Sequence, residues 1–136
     1  MTLSLHLTNA RLIDPESLTD APGSLTIHDG LIAAINQPAP KSARIIDCGG
    51  HPLAPGIVDW GVKIGEPGER HRESFRSAGF AAAAGGVTTI IARPDTFPAI
   101  DTPEVLEFVT RRAAESPVRI RHMAALTKHR DRKSVV

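Results

Sequence analysis

Leu3, Leu5 and Leu7 alternate with Ser4, His6 and Thr8, the period-two pattern of a half-buried strand. A second alternation, Leu25 and Ile27, runs into Asp29-Gly30 and on to Leu31, Ile32 and Ile35. Asp-Gly between apolar runs predicts a hairpin, because both turn positions want positive φ. Pro38 and Pro40 interrupt the chain, and Ile45-Ile46 predict one more short strand before Gly49-Gly50. Residues 1–54 therefore predict strands of a small antiparallel sheet.

The pattern changes at Pro55-Gly56. Ile57, Val58, Trp60, Val62 and Ile64 form a near-continuous apolar run, as in a buried parallel strand, ended by Pro67-Gly68. Glu73 to Ala84 predicts an alanine-rich helix that stops at Gly85-Gly86. Val87 to Ala92 is a second β-rich run. Asp101-Thr102-Pro103-Glu104 predicts a helix start capped by Asp101, with Val105, Val109 and Ala113 on one face. Val118 to Ala125 predicts a third strand. The order β-α-β-α-β over residues 56–126 implies a parallel sheet with right-handed crossovers. Three such strands leave open edges, which makes a poor independent domain and predicts low solubility for this stretch by itself.

Composition narrows the function classes. Among 136 residues, 16 Lys and Arg against 15 Asp and Glu leave a net charge of +1, without the concentrated basic face that nucleic acid needs. The single cysteine, Cys48, forms no internal disulfide, in keeping with a reducing compartment. No apolar run reaches the roughly 18 residues of a membrane span, and Met1–Ala10 lacks the pattern of a signal peptide. The expectation is a cytoplasmic protein with no membrane or nucleic-acid partner.

The chemistry-bearing stretch is Pro55-Gly56-Ile57-Val58-Asp59-Trp60-Gly61-Val62-Lys63-Ile64-Gly65-Glu66-Pro67-Gly68. It resembles the first barrel strand of the amidohydrolase superfamily, and within it the dihydroorotase pattern P-G-[LIV]-[VI]-D-x-H-x-H-x-R-E-P-G. Ala81–Thr89 resembles that family's A-A-A-x-G-G-[FV]-T-T, Pro94–Pro98 its P-N-T-x-P, and Ala125–Lys128 a segment after its third strand. The resemblance covers residues 1 to about 130, with these pieces in order and at the right spacing. Allantoinases and dihydropyrimidinases are less similar in the E-P-G and P-x-T-x-P pieces. The resemblance implies the N-terminal part of a (β/α)8 barrel, about two and a half βα units over residues 55–130, preceded by part of a flanking β-rich domain over residues 1–54.

In the family, histidines at i and i+2 share one face of the strand and hold zinc, which lowers the pKa of a bound water toward neutrality for attack on a cyclic amide. Here those positions are Gly61, which has no ligand atom, and Lys63, whose ammonium has no lone pair. The family arginine that grips the substrate carboxylate is Gly65, and the family asparagine is Asp95. All four positions are changed while Pro55, Gly56, Asp59, Glu66, Pro67 and Gly68 are kept. Random decay would not spare the frame and remove only the site. The resemblance thus implies no catalytic and no metal-ligating residue in this chain, and no cofactor, although active members of the family use zinc. Lys63 has two readings: an ammonium standing where the metal charge would be, or a solvated side chain in a wet barrel mouth.

Other candidates have bland readings. His122 and His129 are seven apart, one in a strand and one in the loop after it, with no third ligand nearby. His6, His28 and His51 read as ordinary surface or partly buried residues. Cys48 lacks an adjacent base and reads as a small buried hydrophobe. Gly85-Gly86 follows a helix and precedes a strand, the reverse of a phosphate loop. Glu66, Glu69, Arg70, His71, Arg72 and Glu73 read as a solvated loop and first helical turn, with a protein-gripping role as the alternative.

The resemblance implies two functions. One is a non-catalytic dihydroorotase homologue, of a kind that scaffolds aspartate carbamoyltransferase in pyrimidine biosynthesis, with homo-oligomers open to the full-length protein. The alternative is a divergent dihydroorotase or related cyclic amidohydrolase with a rearranged metal site built from later strands. Asp131-Arg132-Lys133-Ser134-Val135-Val136 continues no pattern. It equals the translation of GATCGGAAGAGCGTCGTG, a sequencing-library adapter whose next triplet is a stop. The expectation is that residues 131–136 are adapter-derived, to be overturned by a genomic read that encodes them and then stops.

Overall fold

The structure is a computed structural model that describes residues 4–133. Leu3 of the first alternation and Ser134–Val136 of the tail lie outside the described residues. The chain divides into two compact units, with the break between Pro55 and Gly56.

The first unit holds β1 (Ser4–Asp14), β2 (Thr19–His28), β3 (Leu31–Ile35), β4 (Arg44–Asp47) and β5 (Pro52–Leu53). The hairpin between β2 and β3 turns on Asp29 (φ 50°) and Gly30 (φ 77°), the two positive-φ positions that the Asp-Gly pair predicts. The sheet order is β3-β2-β1-β4, with β5 also on β1. It is mixed rather than antiparallel, because β4 and β5 both run parallel to β1. The proline-bearing connection 36–43 carries the chain back to the other side of β1, and such a crossover returns the next strand in the same direction. A bulge at Asn9 (φ 53°) separates the two parallel pairings, and its side-chain amide donates to Asp47 Oδ1 at 2.9 Å.

The buried cross-strand pair here is polar. His6 and Thr26 face each other on β1 and β2, both buried, with His6 Nδ1 2.9 Å from Thr26 Oγ1. His6 is therefore a satisfied interior histidine and not a surface one. His28 is exposed and bonds Ser4, so it fits the surface reading.

The second unit is a three-stranded parallel sheet, β6 (Ile57–Val62), β7 (Val87–Ala92) and β8 (Arg119–His122), in that order, with α1 (Phe75–Ala84) and α2 (Pro103–Ala113) as crossovers. Ile64, Phe75, Ala78, Ile90, Ile100, Val109 and Ile120 form its core. Helix α1 starts with a reciprocal capping box, in which Ser74 Oγ accepts from Ser77 N and Ser77 Oγ accepts from Ser74 N. Helix α2 is capped by Thr102 and not by Asp101. Asp101 turns inward instead, buried, and accepts the His129 backbone N–H at 2.6 Å. Strand β6 is an edge: only β7 pairs with it among the described residues, and Ile57, Val58 and Trp60 stand exposed instead of buried. The apolar run also breaks earlier than its composition predicts, because the β6–β7 register shifts between Trp60 and Val62, where Gly61 has φ 85°.

Candidate functional site

Parallel βα sheets place their chemistry at the carboxyl ends of the strands. Here β6 and β7 end in step, with the Arg93 N–H donating to the Val62 carbonyl at 2.9 Å. That brings Lys63 and Asp95 together. Asp95 Oδ2 accepts from the Arg93 guanidinium at 2.9 Å and lies 4.0 Å from Lys63 Nζ. The Asp95 side chain is only 10% exposed, and its Oδ1 is buried without a hydrogen-bond partner. Lys63 is more than half exposed, so its amine is a loosely held counter-charge on the rim. Asp95 is thus a nearly buried carboxylate held by Arg93, with Lys63 as a second, looser counter-charge.

Gly61 and Gly65 supply no side chain, but their backbones differ in kind. Gly61 is the extra residue of the bulge in β6. Gly65 starts a folded-back loop in which its carbonyl accepts the Glu69 N–H at 2.6 Å. A Cβ on Gly65 would lie 2.7 Å from the Glu69 carbonyl oxygen and 3.1 Å from that of Glu73.

Glu66 departs furthest from what its sequence neighbourhood predicts. It lies in the charged cluster expected to be solvated, yet it is buried at 4% exposure. Its Oε2 accepts the Phe75 N–H at the start of α1 (3.1 Å), and its Oε1 accepts Arg112 Nε from the last turn of α2 (2.9 Å). Arg70 Nε is 3.5 Å away. The bond from Arg112 to Glu66 holds that guanidinium above its ordinary pKa. No local signal in the sequence separates Glu66 from the solvated charges beside it, because its partners Phe75 and Arg112 lie 9 and 46 residues away. Glu69 and Arg72 do pair at the surface, 3.0 Å apart, as the solvated reading has it.

His122 ends β8. Its ring meets Phe75 edge-on, with centroids 5.4 Å apart and planes at 79°. Both ring nitrogens are buried without partners. Burial pushes its pKa down, so the ring is neutral near pH 7. His129 lies apart in function, exposed and tied through its backbone to Asp101. Cys48 is half-buried, and the His51 ring bonds its carbonyl rather than its sulfur, so the thiol gains no base from that histidine.

The zinc that the family resemblance implies does not fit the residues present. Gly61 offers no atom, Lys63 offers an ammonium, and Asp95 is bound by two cations. No group of three or more His, Cys, Asp or Glu side chains able to hold a metal exists among the described residues. No helix among them is long and apolar enough to cross a membrane.

His122 predicts a pH dependence of stability. Its folded pKa is depressed, so the unfolded chain binds the proton more readily than the native one. Stability is full above the unfolded value of about 6.5 and falls as pH drops below it. Denaturant unfolding of the full-length protein between pH 8 and pH 5 checks this. A His122→Phe variant is expected to lose that part of the slope.

A parallel βα sheet with Lys63, Arg93 and Asp95 gathered at the carboxyl ends of its strands defines the class, a parallel βα frame with its polar groups at the strand ends. The family profile described as Dihydro-orotase-like matches residues 50–134. The chain is 41% identical over 128 residues to the dihydroorotase of Anaplasma phagocytophilum (strain HZ), covering 88% of this chain and 29% of that protein. It is 35% identical over 132 residues to the dihydroorotase of Streptococcus pneumoniae serotype 4, covering 96% and 31%. Among solved structures, the L-hydantoinase (dihydropyrimidinase) from Arthrobacter aurescens matches with a TM-score of 0.80 at 28% identity, over 93% of this chain and 28% of that one. A crystal structure of a dihydroorotase shares the fold, with a TM-score of 0.59 at 22% identity over 93% of this chain and 32% of that one. The chain belongs to the dihydroorotase-like family. It spans about three-tenths of the length of the curated relatives it matches and corresponds to their N-terminal portion.

Proposed function

We propose that this chain is part of a non-catalytic dihydroorotase homologue, a cytoplasmic protein of pyrimidine biosynthesis that scaffolds aspartate carbamoyltransferase. The observation that carries the reading is the state of the strand ends. Where the family pattern has two histidines, this chain has a bulged glycine and a lysine, and the lysine lies 4.0 Å from a carboxylate that Arg93 already holds. Neither position offers the neutral imidazole that a divalent ion would need, and the nearby carboxylate is already held by Arg93. Pro55, Gly56, Asp59, Glu66, Pro67 and Gly68 of the family pattern around them are kept. On this reading residues 1–54 belong to the flanking β-rich domain, residues 55–130 open the barrel, and 131–136 are adapter-derived.

The test uses the full-length protein with zinc supplied. Dihydroorotate hydrolysis is expected to be absent with or without the metal, and the protein is expected to co-elute with aspartate carbamoyltransferase from the same genome. Zinc-dependent turnover would sink the non-catalytic part of the proposal, and separate elution would sink the scaffold part.

One observation favours the alternative, a divergent cyclic amidohydrolase with a rearranged metal site. His122 stands at the end of β8 with a neutral ring and two unpartnered nitrogens, the state a metal ligand needs. Stoichiometric zinc that is lost on His122→Phe substitution would favour that reading.

A further inference from the structure

We infer that the backbone of this segment, and not only its side chains, is set against the metal and carboxylate site that the family pattern describes at positions 61, 63 and 65. The inference deepens the non-catalytic reading and rests on it. Two obstacles of different physical kind support it.

The first obstacle is conformational. Two side chains at i and i+2 share a face only where a strand alternates regularly. In β6, Trp60 pairs with Ile91 and Val62 with Ala92, so Gly61 is a residue without a partner on β7. An inserted residue breaks the alternation and re-aims the side chains after it. Positions 61 and 63 therefore no longer form a regular i, i+2 pair. Gly61 also holds φ 85°, a conformation that L side chains rarely adopt. Space is not the difficulty, since a Cβ there would meet nothing within 4 Å.

The second obstacle is crowding. At Gly65 a Cβ would come within 2.7 Å of one backbone carbonyl oxygen and 3.1 Å of another. Backbone atoms cannot swing aside like the end of a lysine. The Glu69 N–H clamps the same turn back onto Gly65, and Glu66 fastens it to α1 and α2. An arginine at 65 requires this loop to open.

The two obstacles predict different mutational signatures in the full-length protein. Gly61→Ala and Gly61→His are expected to lower Tm by the same amount, about 2–4 °C, because the penalty comes from φ and not from side-chain size. Gly65→Ala is expected to lower Tm through crowding, whereas Lys63→His, at an exposed position, leaves it within about 1 °C. The triple variant Gly61→His, Lys63→His, Gly65→Arg is expected to retain no more zinc after dialysis than the wild type, with no rise in Tm on adding zinc chloride. One extra equivalent of zinc with a raised Tm overturns the inference, as does a Gly61→Ala protein that melts with the wild type. If the triple variant does not fold, the two Gly61 single variants decide. Zinc already present in the wild type would sink the non-catalytic reading, while the comparison of Gly61→Ala with Gly61→His would still decide this one.

Discussion

Glu66→Ala is expected to destabilise the full-length protein by about 2–3 kcal/mol, because it leaves a buried helix-start amide without its acceptor and removes one side of a partly exposed ion pair. The carboxylate is almost fully buried and serves two structural elements at once. It accepts the Phe75 N–H, one of the amide groups that a helix start leaves unpaired, and it holds the Arg112 guanidinium from α2. Alanine strands the Phe75 N–H and leaves a void, while the Arg112 guanidinium keeps its bond to Glu115. Glu66→Gln keeps an acceptor but loses the charge, and a smaller loss of about 1–2 kcal/mol is expected. Urea unfolding midpoints of wild type and both variants check the order. Equal losses for alanine and glutamine would mean that charge is the whole effect, and no loss for either would mean that the network contributes nothing. The β6–α1 loop lies at the carboxyl end of β6, so its anchoring also fixes the chain that follows Lys63.

Phe75→Ala is the second large effect, about 3–5 kcal/mol, as for other buried aromatic truncations. Phe75 is 1% exposed and packs in the cluster with Ile90, Ile100 and Val109. It also covers the edge of the His122 ring. Its removal therefore carries a second readout. Water reaches His122, the burial that depresses its pKa is relieved, and its NMR titration midpoint moves up toward the ordinary histidine value. Phe80→Ala, on the exposed face of the same helix beside Arg76, is expected to cost no more than about 0.5 kcal/mol and to leave that midpoint in place. A Phe75→Ala protein that loses stability without moving the His122 midpoint would show that the ring contact does not govern the histidine.

The changed positions 61, 63, 65 and 95 were legible as soon as the frame around them was recognised, because a glycine or a lysine lacks the donor chemistry wherever it sits. The role of Glu66 was not legible. Its partner Arg112 is 46 residues away, and nothing local distinguishes a buried glutamate from a solvated one. Asp101 departs from its local pattern for a related reason. It has the chemistry of a cap, but a backbone amide 28 residues downstream claims its carboxylate, and Thr102 caps instead.

The sequence by itself determined the β-α-β-α-β order of residues 56–126, the Asp29-Gly30 hairpin and the helix start at Pro103, since each depends on residue chemistry within a few positions. The tertiary structure alone decided that β4 and β5 run parallel to β1 and that His6 is interior. It also decided that Gly61 is a bulge at positive φ and that Glu66 joins two helices. These depend on which distant segment pairs with which, and pairing is settled by summed burial and hydrogen bonding across the fold, not by local preference.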